Sequence, residues 1–202
     1  QHIQSGAFSA AIELLEKAQE YPHNLGEGKL YGAQENDIFY WLACAYEEAG
    51  NIVEANKFLI KATQGLSEPT AAMFYNDQQP DKIFYQGLAW NKIGETAKAH
   101  QIFSKLVEYG NGHLNDNVQI DYFAVSLPDL LIFEDNLNVR NKVHCHYMMG
   151  LGYLGLQQAE KARTEFEKAL ELDAMHFGAR THMQLALQIK QSDTVAGVGA
   201  NK

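Results

Sequence analysis

Apolar positions along the chain recur at the three- and four-residue spacing of amphipathic helices. The first such segment, GAFSAAIELLEKA, places Phe8, Ile12 and Leu15 on one helical face. Further stretches contain two such helices each, in residues 37–62, 81–106 and 144–172. The pattern predicts antiparallel helix pairs whose backbones approach each other at small residues.

The helix pairs follow a fixed period. Gly6, Gly50 and Gly94, each at the turn before a second helix, recur every 44 residues, and so does the alanine series Ala11, Ala55 and Ala99. In the last unit Ala162 follows Ala99 by 63 residues, 19 more than the period. The sequence therefore predicts a helical-repeat protein with one insertion.

The period and the insertion define a single array over residues 1–191 with a flexible tail at 192–202. The predicted parts are repeat units at 1–22, 35–65, 80–109 and 140–173, an insertion at 110–139 and a capping helix at 176–191. The insertion is apolar in its second half, which predicts that it forms short helices packed on the array. The first unit has only its second helix, so the sequence starts in the middle of a repeat.

Large, small and aromatic residues occupy fixed positions in the units, as in Leu42, Ala43 and Tyr46 and again in Met149, Gly150 and Tyr153. This arrangement resembles the tetratricopeptide repeat. The resemblance implies an all-α, right-handed superhelical solenoid of antiparallel helix pairs. The chain departs from the family in its long period, in Gln157 at a turn that usually has glycine, and in Gln86 where leucine is expected.

The family resemblance also implies a binding groove lined by the first helix of each pair. Positions 2, 5, 9, 12 and 13 of a repeat share one helical stripe. In this chain the predicted groove residues are Asp37, Tyr40, Cys44, Glu47 and Glu48; Asp81, Phe84, Leu88, Asn91 and Lys92; and His144, Tyr147, Leu151, Leu154 and Gly155. The aromatic residues of this set could anchor a ligand, or they could be covered within the array.

Some members of the family hold a carboxylate-terminated peptide in a clamp of lysine and asparagine. Here Tyr40 and Phe84 stand at the lysine positions, and Cys44 and Leu88 at the asparagine positions. The resemblance therefore disfavours a carboxylate-terminated ligand.

A narrower resemblance rests on the linker YPHNLGEGKL and on residues 126–156. Both resemble the C-terminal repeat region of large bacterial proteins whose N-terminal half is a β-sandwich domain of unknown function. That resemblance implies a link to carbohydrate metabolism. It also implies that the chain is the C-terminal piece of a longer protein, which agrees with its start in the middle of a repeat.

Charge and residue usage limit the functions to be considered. Sixteen basic and 25 acidic residues give a net charge of −9, which disfavours a nucleic-acid partner. The apolar runs are too short to span a membrane. Cys44 and Cys145 lie in apolar helical patterns, which favours buried free thiols. The cellular compartment stays open.

Candidate catalytic and metal-binding groups are isolated in this sequence. His144 and His146 point about 200° apart on a helix and cannot chelate one ion. The adjacent carboxylates Glu47 and Glu48 have no nucleophile or second acid at an interpretable spacing. We therefore expect no catalytic residue, no metal and no cofactor.

The sequence thus predicts a non-enzymatic interaction or scaffold module. Its partner would be a protein, a peptide or another domain of the same polypeptide. The alternative is an accessory domain of a carbohydrate-active or carbohydrate-binding protein, which would support a sugar site on an upstream β-sandwich domain.

Overall fold

The computed structural model describes residues 2–3, 5–22, 24, 28–29, 32–71, 78–118 and 136–198, the last eleven as backbone alone. These residues form eight helices and no strand: α1 (Phe8–Lys17), α2 (Asn36–Glu48), α3 (Ile52–Ala62), α4 (Pro80–Lys92), α5 (Thr96–His113), α6 (Leu137–Gly155), α7 (Ala159–Leu172) and α8 (Phe177–Val198). The predicted all-α class of paired helices is confirmed.

The chain forms two compact units. Unit 1 contains α1 to α4 and the first part of α5, in Gln1–Glu68 and Gln78–Phe103. Unit 2 contains the rest of α5 and α6 to α8, in Pro69–Asp77 and Ser104–Lys202. The right-handed course of the whole array stays a prediction.

The turn inside each helix pair has one backbone geometry. Gly50 adopts a φ of 79°, its N–H donates to the carbonyl of Glu47, and the next N–H, of Asn51, donates to the carbonyl of Tyr46. These two bonds satisfy carbonyls that the end of a helix would otherwise leave unpaired. The same bond pattern closes the turns at Gly6, Gly94 and Gln157.

Small residues permit close packing within both units. A Cβ atom on Gly87 would collide with the ring of Phe103, and one on Gly150 would collide with the ring of Phe166. Gly110 plays a similar part against α6, where a Cβ would lie 2.7 Å from the carbonyl oxygen of Cys145. The small residues predicted at the helix contacts are therefore required by side-chain volume.

Side-chain amides from α2 and α4 meet at the C-terminal end of α3. Asn36, which is 2% exposed, donates to the carbonyls of Ala62 and Gln64, both at 2.8 Å. Gln86, 1% exposed, donates to the same Gln64 carbonyl at 2.7 Å. The glutamine that departs from the family pattern thus caps the preceding helix.

Two predicted boundaries differ from the structure. α5 continues to His113 and α6 begins at Leu137, so both ends of the predicted insertion 110–139 are helical; its apolar part, residues 119–135, lies outside the described residues. α8 continues to Val198, beyond the predicted end at 191, because residues 192–198 contain no proline to stop a helix.

We predict that Asn36→Ala destabilises the chain by about 2 kcal/mol, because a buried carbonyl loses its donor. Urea unfolding followed by circular dichroism measures the change. Gln64→Ala is the matched control, since the hydrogen bonds described for Gln64 involve its backbone, which alanine keeps. It should shift the free energy of unfolding by less than about 0.5 kcal/mol. Equal effects of the two substitutions would contradict the prediction.

We predict that Gln157→Gly stabilises the chain by about 0.5–1 kcal/mol. Gln157 has a φ of 60°, and a left-handed conformation costs a non-glycine residue roughly 1–2 kcal/mol, of which the added freedom of glycine in the unfolded chain offsets a part. The thermal unfolding midpoint measures the gain. Gln158→Gly, at a neighbour whose φ is −96°, should produce no gain, and stabilisation by both would refute the assigned cause.

Candidate functional site

The first helices of two consecutive repeats, α2 and α4, pack in parallel within unit 1. Three cross-helix pairs join them, each offset by 45 residues: Asp37 with Lys82 at 2.6 Å, Tyr40 with Tyr85 at 5.6 Å between ring centroids, and Glu47 with Lys92. We call this surface the α2–α4 face; it also includes Trp41, Cys44, Glu48, Asp81, Leu88 and Asn91. An ion pair lies at each end of this face, and aromatic rings form its centre.

Three rings form the centre of the α2–α4 face. Tyr40, Trp41 and Tyr85 contact one another with centroid separations of 5.5–6.1 Å. Burial raises the pKa of Tyr40 and of Tyr85, while the side-chain hydrogen bond from Trp41 to Tyr85 opposes the shift of the second phenol. Both phenols stay neutral at physiological pH, so the centre of the face carries no charge.

Cys44 lies beside these rings, half-buried, with its thiol hydrogen-bonded to the hydroxyl of Tyr40. Burial raises the pKa of the Cys44 thiol, and the charge of Lys92 lowers it by less. A thiol in this state is a poor nucleophile. Its contribution to the face is packing volume.

The predicted groove residues of unit 1 lie on α2 and α4 as expected, but their exposure differs. Glu47, Glu48, Asn91 and Lys92 are exposed, and the side chains of Asp37, Tyr40 and Asp81 are partly exposed. Phe84 is 1% exposed and packs against Tyr85 and Phe103. Of the two alternatives left open for the aromatics, Phe84 adopts the covered one and is not available to a ligand.

Four of the five predicted groove residues of unit 2 are buried within that unit, and Gly155 is partly exposed. His144 is 7% exposed, and its Nε2 lies 2.8 Å from the carbonyl oxygen of Thr70 in the α3–α4 connection. Tyr147 is 5% exposed and packs against His176, just before α8, and against His182 on α8. The corresponding surface of α6 is therefore occupied by the chain itself.

His146 of unit 2 makes a contact that joins two helices. The Nδ1 of His146 lies 2.7 Å from the Oε2 of Glu165, which joins α6 to α7. The described residues hold no group of three or more His, Cys, Asp or Glu side chains arranged to bind a metal ion. Among the helices of the described residues, none combines the length and apolar content needed to cross a bilayer.

Sequence reasoning missed three members of the α2–α4 face, Trp41, Lys82 and Tyr85. Each lies one position after a residue of the predicted stripe. The three contacts between α2 and α4 join residues that are 45 positions apart, one more than the 44-residue period. The partner of a residue on α2 is therefore the residue that follows its repeat equivalent on α4. Adding one residue to the period would have found Lys82 and Tyr85.

One repeat of this chain, in α6 and α7, matches a known protein family. Residues 143–174 match the family model of the tetratricopeptide repeat. Among solved structures, the chain is similar to the C-terminal part of a TPR repeat-containing protein from Cytophaga hutchinsonii, with 18% identity over 96% of this chain and 70% of that chain and a TM-score of 0.30. It is also similar to a MamA RS-1 ArsTM double mutant, with 17% identity over 81% of this chain and 98% of that chain and a TM-score of 0.22.

We predict that Cys44 is alkylated slowly at pH 7.5 and that its rate rises with pH up to and beyond 9, because the fraction of reactive thiolate keeps increasing until the pH passes the raised pKa. Mass spectrometry of iodoacetamide-treated chain measures the rate at each pH. Lys92→Gln removes the charge that favours the thiolate and should slow the reaction further. A rate that is already maximal at pH 7.5 would contradict the prediction.

Proposed function

Because α6 and α7 form a tetratricopeptide repeat, we propose that this chain is a non-enzymatic interaction module that binds its partner through the α2–α4 face. Tetratricopeptide repeats mediate contacts between proteins, and their fold is typically non-enzymatic. The partner is a protein, a peptide or another domain of the same polypeptide.

The observation that carries the proposal is the fixed aromatic centre between two ion pairs, in which Tyr40 and Trp41 are partly exposed and Tyr85 is 5% exposed. Tyr40 is held by the rings of Trp41 and Tyr85 and by its bond to Cys44. A side chain held in one conformation loses little entropy when a partner binds. Aromatic anchors surrounded by polar groups are the usual source of binding energy in protein interfaces.

The surroundings of this centre provide the polar rim of an interface. Glu47, Glu48, Asn91 and Lys92 are exposed at the C-terminal ends of α2 and α4. The equivalent surface of α6 has no such exposure, since His144, Tyr147 and Leu151 are buried. The proposal therefore assigns binding to unit 1.

We expect a random twelve-residue peptide library, displayed on phage and selected on the chain, to yield sequences that depend on Tyr40. Tyr40→Ala should weaken them at least tenfold, which corresponds to about 1.4 kcal/mol. Thermal melts of each variant establish that it is folded.

Asn91→Trp supplies a second, independent test, because it adds bulk at an exposed position of the face without removing any core side chain. It should also weaken the selected peptides. Gln101→Trp, at an exposed position of α5 outside the face, is the matched control and should leave binding unchanged. Peptides that bind equally to the Tyr40 and Asn91 variants would overturn the proposal, and glycan binding on an array in place of peptide binding would favour the carbohydrate-associated alternative.

A further inference from the structure

We propose that the partner of the α2–α4 face is an extended segment with two basic side chains, about four or five residues apart, on either side of an apolar or aromatic residue. The inference rests on the proposed function and names the chemistry of its partner. It is based on the positions of the charged side chains on the face.

The N-terminal end of the face carries an excess negative charge. Asp37 pairs with Lys82 at 2.6 Å, whereas Asp81 forms no ion pair within the described residues. Burial is the largest cause of the raised pKa of Tyr85, and the negative charges of Asp37 and Asp81 raise it further. Two carboxylates and one ammonium group leave this end with one net negative charge.

The C-terminal end of the face repeats this arrangement. Lys92 pairs with Glu47, and Glu48 is exposed with no ion pair in the part of the chain that the structure describes. Burial by itself lowers the pKa of Lys92, but the hydrogen bond with Glu47 and the charges of Glu47 and Glu48 outweigh burial, so its pKa is raised. This end also has one net negative charge.

The centre between these ends is neutral and partly apolar. The phenols of Tyr40 and Tyr85 are neutral at physiological pH, and burial raises their pKa further above it. Leu88 is partly exposed on α4. A partner that matches the face must therefore carry positive charge at two points with an uncharged side chain between them. Electrostatic complementarity of this kind selects the partner and its register.

The spacing of the two ends sets the spacing of the partner's charges. Asp37 and Glu47 lie ten residues apart on α2, which corresponds to about 15 Å at 1.5 Å per helical residue. An extended peptide rises about 3.3 Å per residue, so about four or five residues cover that length. An acidic partner would meet like charge at both ends.

Fluorescence polarisation with synthetic nine-residue peptides tests the inference. The probe peptide has a tyrosine between two lysines five residues apart; comparison peptides have glutamates or serines in place of the lysines, or the lysines eight apart. The lysine peptide with five-residue spacing should bind at least tenfold more tightly than the glutamate peptide, and its affinity should fall as salt rises.

The charge assignment is tested by the double variant Glu48→Gln with Asp81→Asn. Because neither acid forms an ion pair with a described residue, the substitutions leave the described ion pairs intact, and we expect three- to tenfold weaker binding of the lysine peptide, on the order of two exposed charge contacts. Glu108→Gln with Glu171→Gln makes the same change in total charge at exposed positions of α5 and α7 that are not part of the face, and it should leave binding unchanged. Equal losses in both double variants would mean unspecific attraction to an acidic chain and would overturn the inference.

The peptides also separate this inference from the proposed function. If the serine or glutamate peptide binds as well as the lysine peptide and Tyr40→Ala abolishes that binding, the face is a binding site but the partner is not basic. If no peptide binds and the phage library yields none that depends on Tyr40, the proposed function fails and this inference fails with it.

Discussion

The satisfaction of backbone carbonyls at the end of α3 is the interaction on which the arrangement of unit 1 depends. A helix leaves its last four carbonyls without intrahelical donors. Asn36 from α2 and Gln86 from α4 both donate to the carbonyl of Gln64 just beyond α3. Since one acceptor serves both helices, α2 and α4 are placed relative to the same atom. Their relative register follows, and with it the pairing of Asp37 with Lys82.

The helix pairs were predictable because their causes are local in sequence. A left-handed residue at the turn and a small residue at the helix contact recur once in each repeat, so the period of Gly6, Gly50 and Gly94 located the turns that the structure contains. Gln157 departs from this pattern, yet it adopts the same left-handed conformation as the glycines. The two backbone hydrogen bonds of the turn are thus sufficient to impose a conformation that the side chain disfavours.

The exposure of the candidate site could not be predicted in the same way. Periodicity tells which residues share a face of a helix, but what covers that face comes from distant parts of the chain. His144 is covered by a segment 74 residues earlier, and Tyr147 by a helix 35 residues later. Phe84 is enclosed by its neighbour Tyr85 and by Phe103 of the next helix. These contacts leave no periodic signal in the sequence.

The two units differ in how far the equivalent helix surface is covered. In unit 2 the position equivalent to the face of α2 is filled by large side chains, and Gly178 of α8 permits this, because a Cβ there would lie 2.5 Å from the Tyr147 hydroxyl. In unit 1 the corresponding rings contact one another across two helices, with charged pairs at either end. Tyr40 and Trp41 of this cluster are held by their neighbours but only partly buried, so they still have apolar area to lose to a partner. That residual area, more than any single residue type, distinguishes the α2–α4 face from the closed surface of α6.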